Sequence, residues 1–527
     1  MAEEDLIFGK NRHMFGGIEP SNMLTFSITS KTDNVKLLAR LPKDTIVDGQ
    51  TLCTVAGAVI RRRTDKCPVD EFDGDLVADI KTSDTVTDTT ADLTKTYYYA
   101  AFPYTTQGVY NRNSANRVKY SPTGAYYLYG YDLDTNNADP DARVTYPSDV
   151  HNELFEPAKM NFTGTTAEGT FNYGSWPSTA GEGFMPKPCA LQYNGTVRYY
   201  LDPLDYTKKV DGSTSDYADT SANVNMMMEW PKIYTKRELV NGIYKFRCAP
   251  IKIDDSYECW CNYNSSNQVI DHFYTSIYKR NDIALTNSVS RLRSIGTSGT
   301  FTGGGMTAEA IRTKAKNNGT GWDIEVLADH LLIQDLLVMM AKTTDLKTAY
   351  GDGWSDVTGI TPAGLENKGL FYGAPKSTAS STQTGRVKVF GMVDYWDSQL
   401  SRRLAGWINV KGVQKVKLTA GTKDGSTATD YNTTGAGYLT IPDAYGGSGG
   451  YISSCRVASY GRIPIAYEGS KTTYECDYDS NGNQNTYFAI IAGILSGSEN
   501  RGPFSVTLNK EVDYMSNTIG ASLSCKP

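Results

Sequence analysis

Short strand-like runs separated by turn residues recur along this 527-residue sequence. Apolar and polar residues alternate in 24–28 and 35–41, a period of two that is typical of β-strands with one buried face, and residues 97–103 form an aromatic run. Helical spacing is convincing only between about 306 and 342. No internal repeat of fixed period occurs, which excludes solenoids and propellers. We therefore predict an α+β fold, in which a long, irregular β scaffold holds two helices.

Capping signals set the expected ends of the two helices. Thr307 can cap the first helix, and Asn317-Asn318-Gly319 predicts its end. The second helix carries apolar residues at a spacing of three to four between Val326 and Met339, with Lys342 near its end.

The N-terminal part is expected to form a module of its own. An Asp73-Gly74 turn precedes an aromatic strand at Tyr97–Pro103, and the strands recur at the spacing of a β-sandwich. This order resembles a fibronectin type III or immunoglobulin-like module. We accordingly divide the chain into an N-terminal arm (1–21), an immunoglobulin or fibronectin III-like β-sandwich (22–120) and a large C-terminal domain (121–527).

Charge and composition exclude several classes of protein. Lys and Arg number 52 against 58 Asp and Glu, and without a basic domain the chain is not expected to bind nucleic acid. No apolar stretch approaches the roughly 18–20 residues of a membrane helix, so no membrane insertion is expected. The acidic start at Met1–Asp5 does not resemble a secretory signal, which predicts synthesis in a cytoplasm without export by a cleaved signal. Nine cysteines, an odd number, favour free buried thiols over a disulfide framework.

The sequence offers little catalytic chemistry. It contains four histidines, and the zinc-protease, nucleophile-elbow, Walker and dinucleotide-binding motifs are all missing from it. We therefore predict that the protein is not an enzyme and that it has no cofactor, with calcium as the one candidate ion.

One run is similar to a calcium-binding loop. Asp477, Asp479 and Asn481 alternate before Gly482, as in the first half of an EF-hand loop. Phe488 stands where that loop needs a bidentate glutamate. Calcium ligation by these three side chains and an oxygen-rich Asn-Gly hairpin turn are both open interpretations.

A family resemblance lies in the C-terminal part of the chain. Val389–Asp397, followed by Arg403–Trp407, resembles the G-M-E-N-x-W-G-N-x-W…G segment of C-type-lectin-like domains of the formylglycine-generating-enzyme type. The end of the chain, from Ala492 to Leu523, is similar to the tail of variable proteins that are diversified by retroelements. Two positions depart from that tail, because Ala492 replaces a glycine and Leu495 replaces a tryptophan. The wider chain is similar to tail-fibre and receptor-binding proteins of phages.

The resemblance implies a fold and a binding face. Residues 121–527 are expected to form a C-type-lectin-like domain with two helices, irregular β structure and a variable tail at 492–523. Glycine and apolar positions of the tail are expected to form a buried framework: Gly493, Gly502, Phe504, Leu508, Ile519, Gly520 and Leu523. The positions between them are expected to form an exposed ligand-binding face: Ile494, Ser496, Ser498, Asn500, Ser505, Thr507, Asn509, Lys510, Asp513, Met515 and Ser516.

The resemblance also implies a function without catalysis. A phage virion protein of the tail-fibre or receptor-binding type is expected, which attaches to a glycan or protein receptor on the host cell surface. Its other partners would be further virion or tail proteins and two more copies of itself, since homotrimers are usual among the proteins it resembles. Two alternatives remain open. One is a formylglycine-generating-type oxidase that uses a reactive pair among Cys455, Cys476 and Cys525, and the other is a purely structural virion decoration or connector.

Overall fold

Strands dominate the secondary structure of this protein. The computed structural model describes residues 18–30, 34–93, 95–121, 124–126, 128–163, 168–279, 291–296, 305–353, 364–374, 385–397, 400–417, 435, 437–445, 449–459, 461–492, 502–516 and 518–527. Of these residues, 43% lie in strands and 8% are helical, and the helical residues include three α-helices. The expected α+β class, with a C-type-lectin-like domain of two helices and irregular β structure, is therefore wrong. Residues 116–279, in which the sequence shows only short strand-like pieces, form strands of several sheets. Some of these strands pair with distant ones, for example Val224–Pro231 with His272–Ser276.

The chain divides into two units, each with its own internal contacts. The first unit contains the chain up to Gly130 together with Tyr146–Leu154 and Arg247–Tyr257. The second contains Tyr131–Thr145, Phe155–Phe246 and Glu258–Pro527.

Two sheets build the first unit, one of order β1-β2-β7 and one of order β10-β9-β8-β5-β6, beside a β3-β4 hairpin. Their strands are β1 (Thr25–Ser30), β2 (Val35–Arg40), β3 (Thr45–Val47), β4 (Gln50–Cys53), β5 (Val55–Arg63), β6 (Asp75–Ile80), β7 (Asp84–Asp88), β8 (Tyr97–Thr105), β9 (Arg117–Ser121) and β10 (Gly124–Tyr126).

Both sheets contribute to one hydrophobic core. Leu37 in β2 and Ile60 and Tyr99 in β5 and β8 belong to the same buried cluster. A buried ion pair also links the sheets, because Arg62 of β5 donates to Asp88 of β7 at 2.6 Å. Tyr99 donates its hydroxyl to the same Asp88 oxygen at 2.8 Å, so the carboxylate is held by a charged and a neutral donor.

His151 gives the first unit a pH-dependent stability. Burial lowers the pKa of this imidazole to about 4, so the folded unit holds it neutral while the unfolded chain protonates it near pH 6.5. A pKa that is lower in the folded state gives stability that is lost as pH falls, here between about pH 6.5 and 4. We expect the wild type to lose up to about 3 kcal/mol more unfolding free energy than His151→Gln between pH 7 and pH 4. Urea unfolding followed by circular dichroism measures this, and parallel pH profiles of the two proteins would contradict it.

Most of the strands lie wholly or mainly in the second unit, and the ends Tyr129–Gly130 and Arg247–Ala249 of two of them belong to the first unit. They are β11 (Tyr129–Asp134), β12 (Val144–Thr145), β13 (Lys159–Asn161), β14 (Thr170–Asn172), β15 (Lys187–Gln192), β16 (Val197–Asp202), β17 (Asp205–Lys209), β18 (Val224–Pro231), β19 (Tyr234–Val240), β20 (Ile243–Ala249), β21 (His272–Ser276), β22 (Trp322–Ile324), β23 (Tyr372–Gly373), β24 (Val387–Val389), β25 (Met392–Val393), β26 (Ser401–Val410), β27 (Val413–Val416), β28 (Leu439–Tyr445), β29 (Gly449–Tyr451), β30 (Ser454–Ala458), β31 (Gly461–Ala466), β32 (Tyr478–Asn481), β33 (Thr486–Ile491), β34 (Val506–Leu508), β35 (Ile519–Ala521) and β36 (Leu523–Cys525).

Two large sheets organise these strands. A seven-stranded sheet has the order β17-β16-β15-β18-β21-β36-β22, so the C-terminal strand β36 lies between β21 and β22. An eight-stranded sheet follows the path β28-β27-β26-β33-β34-β32-β29, with β35 parallel to β26. The smaller groups are β12-β11-β20-β19, β13-β14, β23-β24-β25 and β30-β31.

The described residues of the second unit contain three α-helices: α1 (Ala308–Lys316), α2 (Leu327–Ala341) and α3 (Leu346–Tyr350). The first two lie where the sequence predicts them. The Thr307 hydroxyl accepts from the backbone N–H of Ala310 at 3.1 Å, which is the expected N-cap. Helix α2 ends at Lys342 in the left-handed conformation, and the Lys342 N–H donates to the Val338 carbonyl at 2.8 Å. Within the part of the chain that is described, no helix is long and apolar enough to cross a membrane.

Helix α2 is buried on every side. All 15 of its residues are buried, including Asp329, His330, Gln334 and Asp335. Each of these polar side chains has a partner, as burial requires. Asp329 pairs with Lys526 at 2.7 Å, and Gln334 donates to the carbonyl of Pro503 at 2.7 Å. Helix α2 is therefore part of the core of the second unit and also carries several buried polar side chains with partners.

Candidate functional site

A buried framework supports the C-terminal segment. The described framework positions of the predicted tail are all buried: Gly502, Phe504, Leu508, Ile519, Gly520 and Leu523. Strand β34 lies between β33 and β32, and β35 pairs with β26. The framework prediction is confirmed for these six positions, and Gly493 lies outside the described residues.

The segment Asn509–Ser516, which we call the anchored loop, connects β34 to β35. Its backbone is fixed from three other elements. The N–H of Ala308, at the start of α1, donates to the Val512 carbonyl at 2.9 Å, and the Arg403 guanidinium of β26 donates to the Tyr514 carbonyl. Tyr487 of β33 forms a bridge with Glu511. These contacts hold the main chain in place while they leave several side chains directed outward.

Asp513 and Met515 are the most exposed of the predicted binding residues. Both are exposed, and Met515 has 57% of its surface accessible, which is unusual for an apolar side chain of this size. Asn509, Lys510 and Ser516 are partly exposed. The anchored loop thus brings five of the predicted residues into one short segment.

Ser505 and Thr507 do not belong to an exposed face. They are 1% and 7% exposed, because they flank and lie within β34, a strand with neighbours on both edges and packing on both sides. The prediction is wrong for these two side chains. Four other predicted positions lie outside the described residues: Ile494, Ser496, Ser498 and Asn500.

Neighbouring groups give the loop a mixed surface chemistry. The Lys510 ammonium lies 4.9 Å from the centre of the Tyr514 ring, a cation–π arrangement that orders both side chains. The Asn485 amide donates to the exposed Glu511 carboxylate at 2.5 Å. Glu511, Tyr514 and Asn485 were not among the predicted residues. The Asn-Gly hairpin signal that ends at Gly482 could have placed a turn beside the loop, but the pairing of Asn485 with Glu511 has no signature in the sequence.

The calcium-loop interpretation of Asp477, Asp479 and Asn481 is not supported by the geometry. The run Tyr478–Asn481 is strand β32, so the three side chains alternate along an extended chain and do not wrap around a common centre. Asp477 is already paired with the Lys347 ammonium at 2.8 Å. Burial raises the pKa of the Asp479 carboxyl to about 7, which weakens it as a cation ligand. Among the described residues, no group of three His, Cys, Asp or Glu side chains is placed to hold a metal ion.

The cysteines do not form a reactive pair. All nine are free, and eight are buried. The residue Cys455 is partly exposed but its thiol is enclosed, and burial raises the thiol pKa to about 12. Burial also raises the pKa of Cys476 and Cys525. Since the thiolate is the nucleophile, these three thiols are poorly suited to the oxidase alternative at neutral pH.

Comparison with known proteins gives no family for this chain. No protein-family model matches the sequence, and no curated protein matches it. The function is therefore argued from the residues of the chain itself.

Proposed function

We propose that this chain is a non-catalytic binding protein whose contact surface is the anchored loop, Asn509–Ser516. The observation that carries the proposal is the combination of a main chain fixed by buried groups with outward side chains of several chemical types. Such a loop can change its exposed residues while the buried framework stays the same. The assignment to a phage virion and to a receptor on the host surface rests on the sequence resemblance.

The exposed chemistry suits a polar receptor surface. Asp513, Glu511 and Lys510 offer acceptors and donors, and Met515 and Tyr514 offer apolar area beside them. A glycan is recognised by this mixture of hydrogen bonds and aromatic contact, and so is a polar protein surface. One small loop would bind weakly, so several copies acting together would be needed for firm attachment. The predicted homotrimer would supply that multivalency.

Removing the two most exposed side chains tests this function. We expect the double variant Asp513→Ala/Met515→Ala to lose at least about tenfold in adsorption of the purified, labelled chain to bacterial cells, which corresponds to about 1.4 kcal/mol. Leu204→Ala is a matched control, because Leu204 is 70% exposed and lies in the same unit away from the loop in sequence. Equal adsorption of the wild type and the double variant would contradict the proposal. A wild type that adsorbs to no strain of a broad panel would favour a structural virion component.

If the tail is diversified, the burial of its side chains predicts which positions vary among natural isolates. Substitutions among natural isolates should concentrate at exposed loop positions such as Asp513 and Met515, and Ser505 and Thr507 should stay constant or change only to small residues. Sequencing the gene from many isolates measures this. Variation that is equally frequent at the buried and exposed positions would contradict the variable-tail hypothesis.

A further inference from the structure

Lys279 and Asp397 form a fully enclosed pair in the second unit. Their side chains are 3% and 4% exposed, and the Lys279 Nζ is in direct contact with Asp397 Oδ2. Backbone groups of one residue hold both partners. The Leu400 carbonyl accepts from Lys279 Nζ at 2.8 Å, and the Leu400 N–H donates to Asp397 Oδ1 at 2.6 Å. The amine therefore faces one carboxyl oxygen while a backbone donor is bound to the other.

Among the described residues, the charged groups Arg386, Asp394 and Arg402 that act on this pair have partners of their own. The Arg386 guanidinium binds the Asp394 carboxylate through two nitrogens, at 3.0 and 2.7 Å. Arg402 is paired with Glu325 at 2.8 Å. Lys279 and Asp397 therefore face each other in the low-dielectric interior, where charged forms are penalised.

Burial shifts the two groups toward their neutral forms. It lowers the pKa of the Lys279 amine, despite the opposing charge of Asp397. Burial also raises the pKa of the Asp397 carboxyl, against the opposing effect of Lys279. A neutral amine has a free electron pair, and a neutral carboxylic acid has a carbonyl carbon that an amine can attack. Burial thus shifts the enclosed pair toward the two protonation states that can react.

Another buried pair in the same unit provides a comparison. Lys347 Nζ lies 2.8 Å from Asp477 Oδ1, and the backbone N–H of Phe504 donates to Asp477 Oδ2 at 2.9 Å. The arrangement of amine, carboxyl and backbone donor is the same. Burial opposes the charged form of Lys347 as well, but Asp477 outweighs it and the pKa of this amine is raised. Lys347 therefore stays an ammonium ion, which is not a nucleophile.

We propose that Lys279 and Asp397 join in an intramolecular amide bond between Nζ and Cγ. The electron pair of the neutral Nζ attacks Cγ and forms the C–N bond, and the Cγ–Oδ2 bond breaks. Oδ2 leaves as water with its own acid proton and one proton from Nζ. The second Nζ proton remains as the amide N–H, for which the Leu400 carbonyl is the acceptor. The step needs no oxidant, metal or further reactant.

Two features of the site favour this condensation. The contact distance replaces a bimolecular encounter with an oriented intramolecular one, which is a large rate advantage. The Leu400 N–H is bound to Oδ1, the oxygen on which negative charge develops in the tetrahedral intermediate, so it acts as an oxyanion donor. The enclosed site also keeps water from reversing the reaction once the leaving molecule has departed.

Intact mass spectrometry of the denatured full chain tests the proposal. We expect the wild type to be lighter than its sequence mass by one water molecule, and Lys279→Arg and Asp397→Ala to have their full sequence masses. Asp397→Asn is the sharper variant, since it can form the same amide by releasing ammonia. Its product would have the same mass as the reacted wild type. In denaturing gels, the wild type should also migrate differently from Lys279→Arg, because a cross-linked chain contains a closed loop.

Peptide mapping locates the bond. Trypsin should fail to cleave after Lys279, and a branched peptide should link the segment with Lys279 to the segment with Asp397. The Lys347 and Asp477 peptides of the same digest should be unmodified and serve as the internal control. A wild type of full sequence mass would overturn the proposal. Loss of water at an Asp-Gly sequence such as Asp73-Gly74, with cleavage after Lys279 intact, would overturn it too.

Discussion

Replacing Asp335 with alanine should destabilise the second unit by about 3–5 kcal/mol. The Asp335 carboxylate accepts from the Arg237 guanidinium at 2.8 Å and from the hydroxyls of Tyr131 and Tyr244 at 2.7 and 3.0 Å. All four side chains are buried. Without the carboxylate, a buried positive charge loses its counter-ion and two buried hydroxyls lose this acceptor, in an interior where solvent does not replace it.

Two further variants show whether the charge causes this loss. Tyr131→Phe removes one donor and leaves Arg237 paired, so we expect a loss of only about 1 kcal/mol. Lys236→Ala removes a surface partner of Glu238 and should change the stability by less than about 0.5 kcal/mol. Urea unfolding can be followed by tryptophan fluorescence, since the described tryptophans lie in the second unit. A loss below about 1 kcal/mol in Asp335→Ala would show that the site relaxes or admits water.

Glu325→Ala should have an effect of similar size, about 3–5 kcal/mol. The Glu325 carboxylate binds the fully buried Arg402 guanidinium at 2.8 Å and accepts from the Tyr395 hydroxyl at 3.0 Å. Removing it leaves Arg402 as an uncompensated charge in the core. The double variant Glu325→Ala/Arg402→Met removes both charges, so it should recover part of the loss in the same unfolding assay. A double variant that is less stable than Glu325→Ala alone would contradict this explanation.

The Glu325 carboxylate also makes the stability of the second unit sensitive to low pH. Burial alone would raise the pKa of Glu325, but the charge of Arg402 and hydrogen bonds outweigh it and hold the pKa at about 2. Because the carboxyl pKa is lower in the folded state, the ionised Glu325 stabilises the fold at pH values above its ordinary pKa near 4.5. This stabilisation is lost as the pH falls toward 2. We expect the wild-type stability to fall more steeply over this range than that of the double variant, measured by urea midpoints at pH 5, 4 and 3.

Local sequence patterns predicted the two longer helices, and tertiary contacts decided the fold class. The Thr307 cap and the spacing of apolar residues in α2 are local signals, and they place both helices well. The partners of Asp329, His330 and Asp335 come from distant parts of the chain, so no local pattern shows that α2 is buried on every side. Between 116 and 279 the sequence shows short strand-like pieces but not their partners, because pairings such as β11 with β20 and β18 with β21 join distant parts of the chain.

The candidate site was predictable only in part. Glycine and apolar positions mark the buried framework of the C-terminal segment, because those residue types favour turns and cores. Ser505 and Thr507 are small and polar, which suggests exposure, but the position of β34 inside a sheet buries them. Residue type alone does not decide the role of Asp477 and Asp479 either. Acidic residues at every second position are compatible with a metal-binding loop and with one face of a strand.

The pairing of β21 with β36 has a consequence for synthesis on the ribosome. The Leu523 N–H donates to the Ser276 hydroxyl across 247 residues of sequence. At a translation rate of about 5–20 residues per second, roughly 12–50 s pass between the synthesis of β21 and the synthesis of β36. During that time one edge of β18-β21 is open to other strands, including those of nascent chains on the same messenger RNA. The yield of folded protein should therefore depend strongly on translation speed and on chaperone supply. Its dependence on the stability of the finished chain should be weaker.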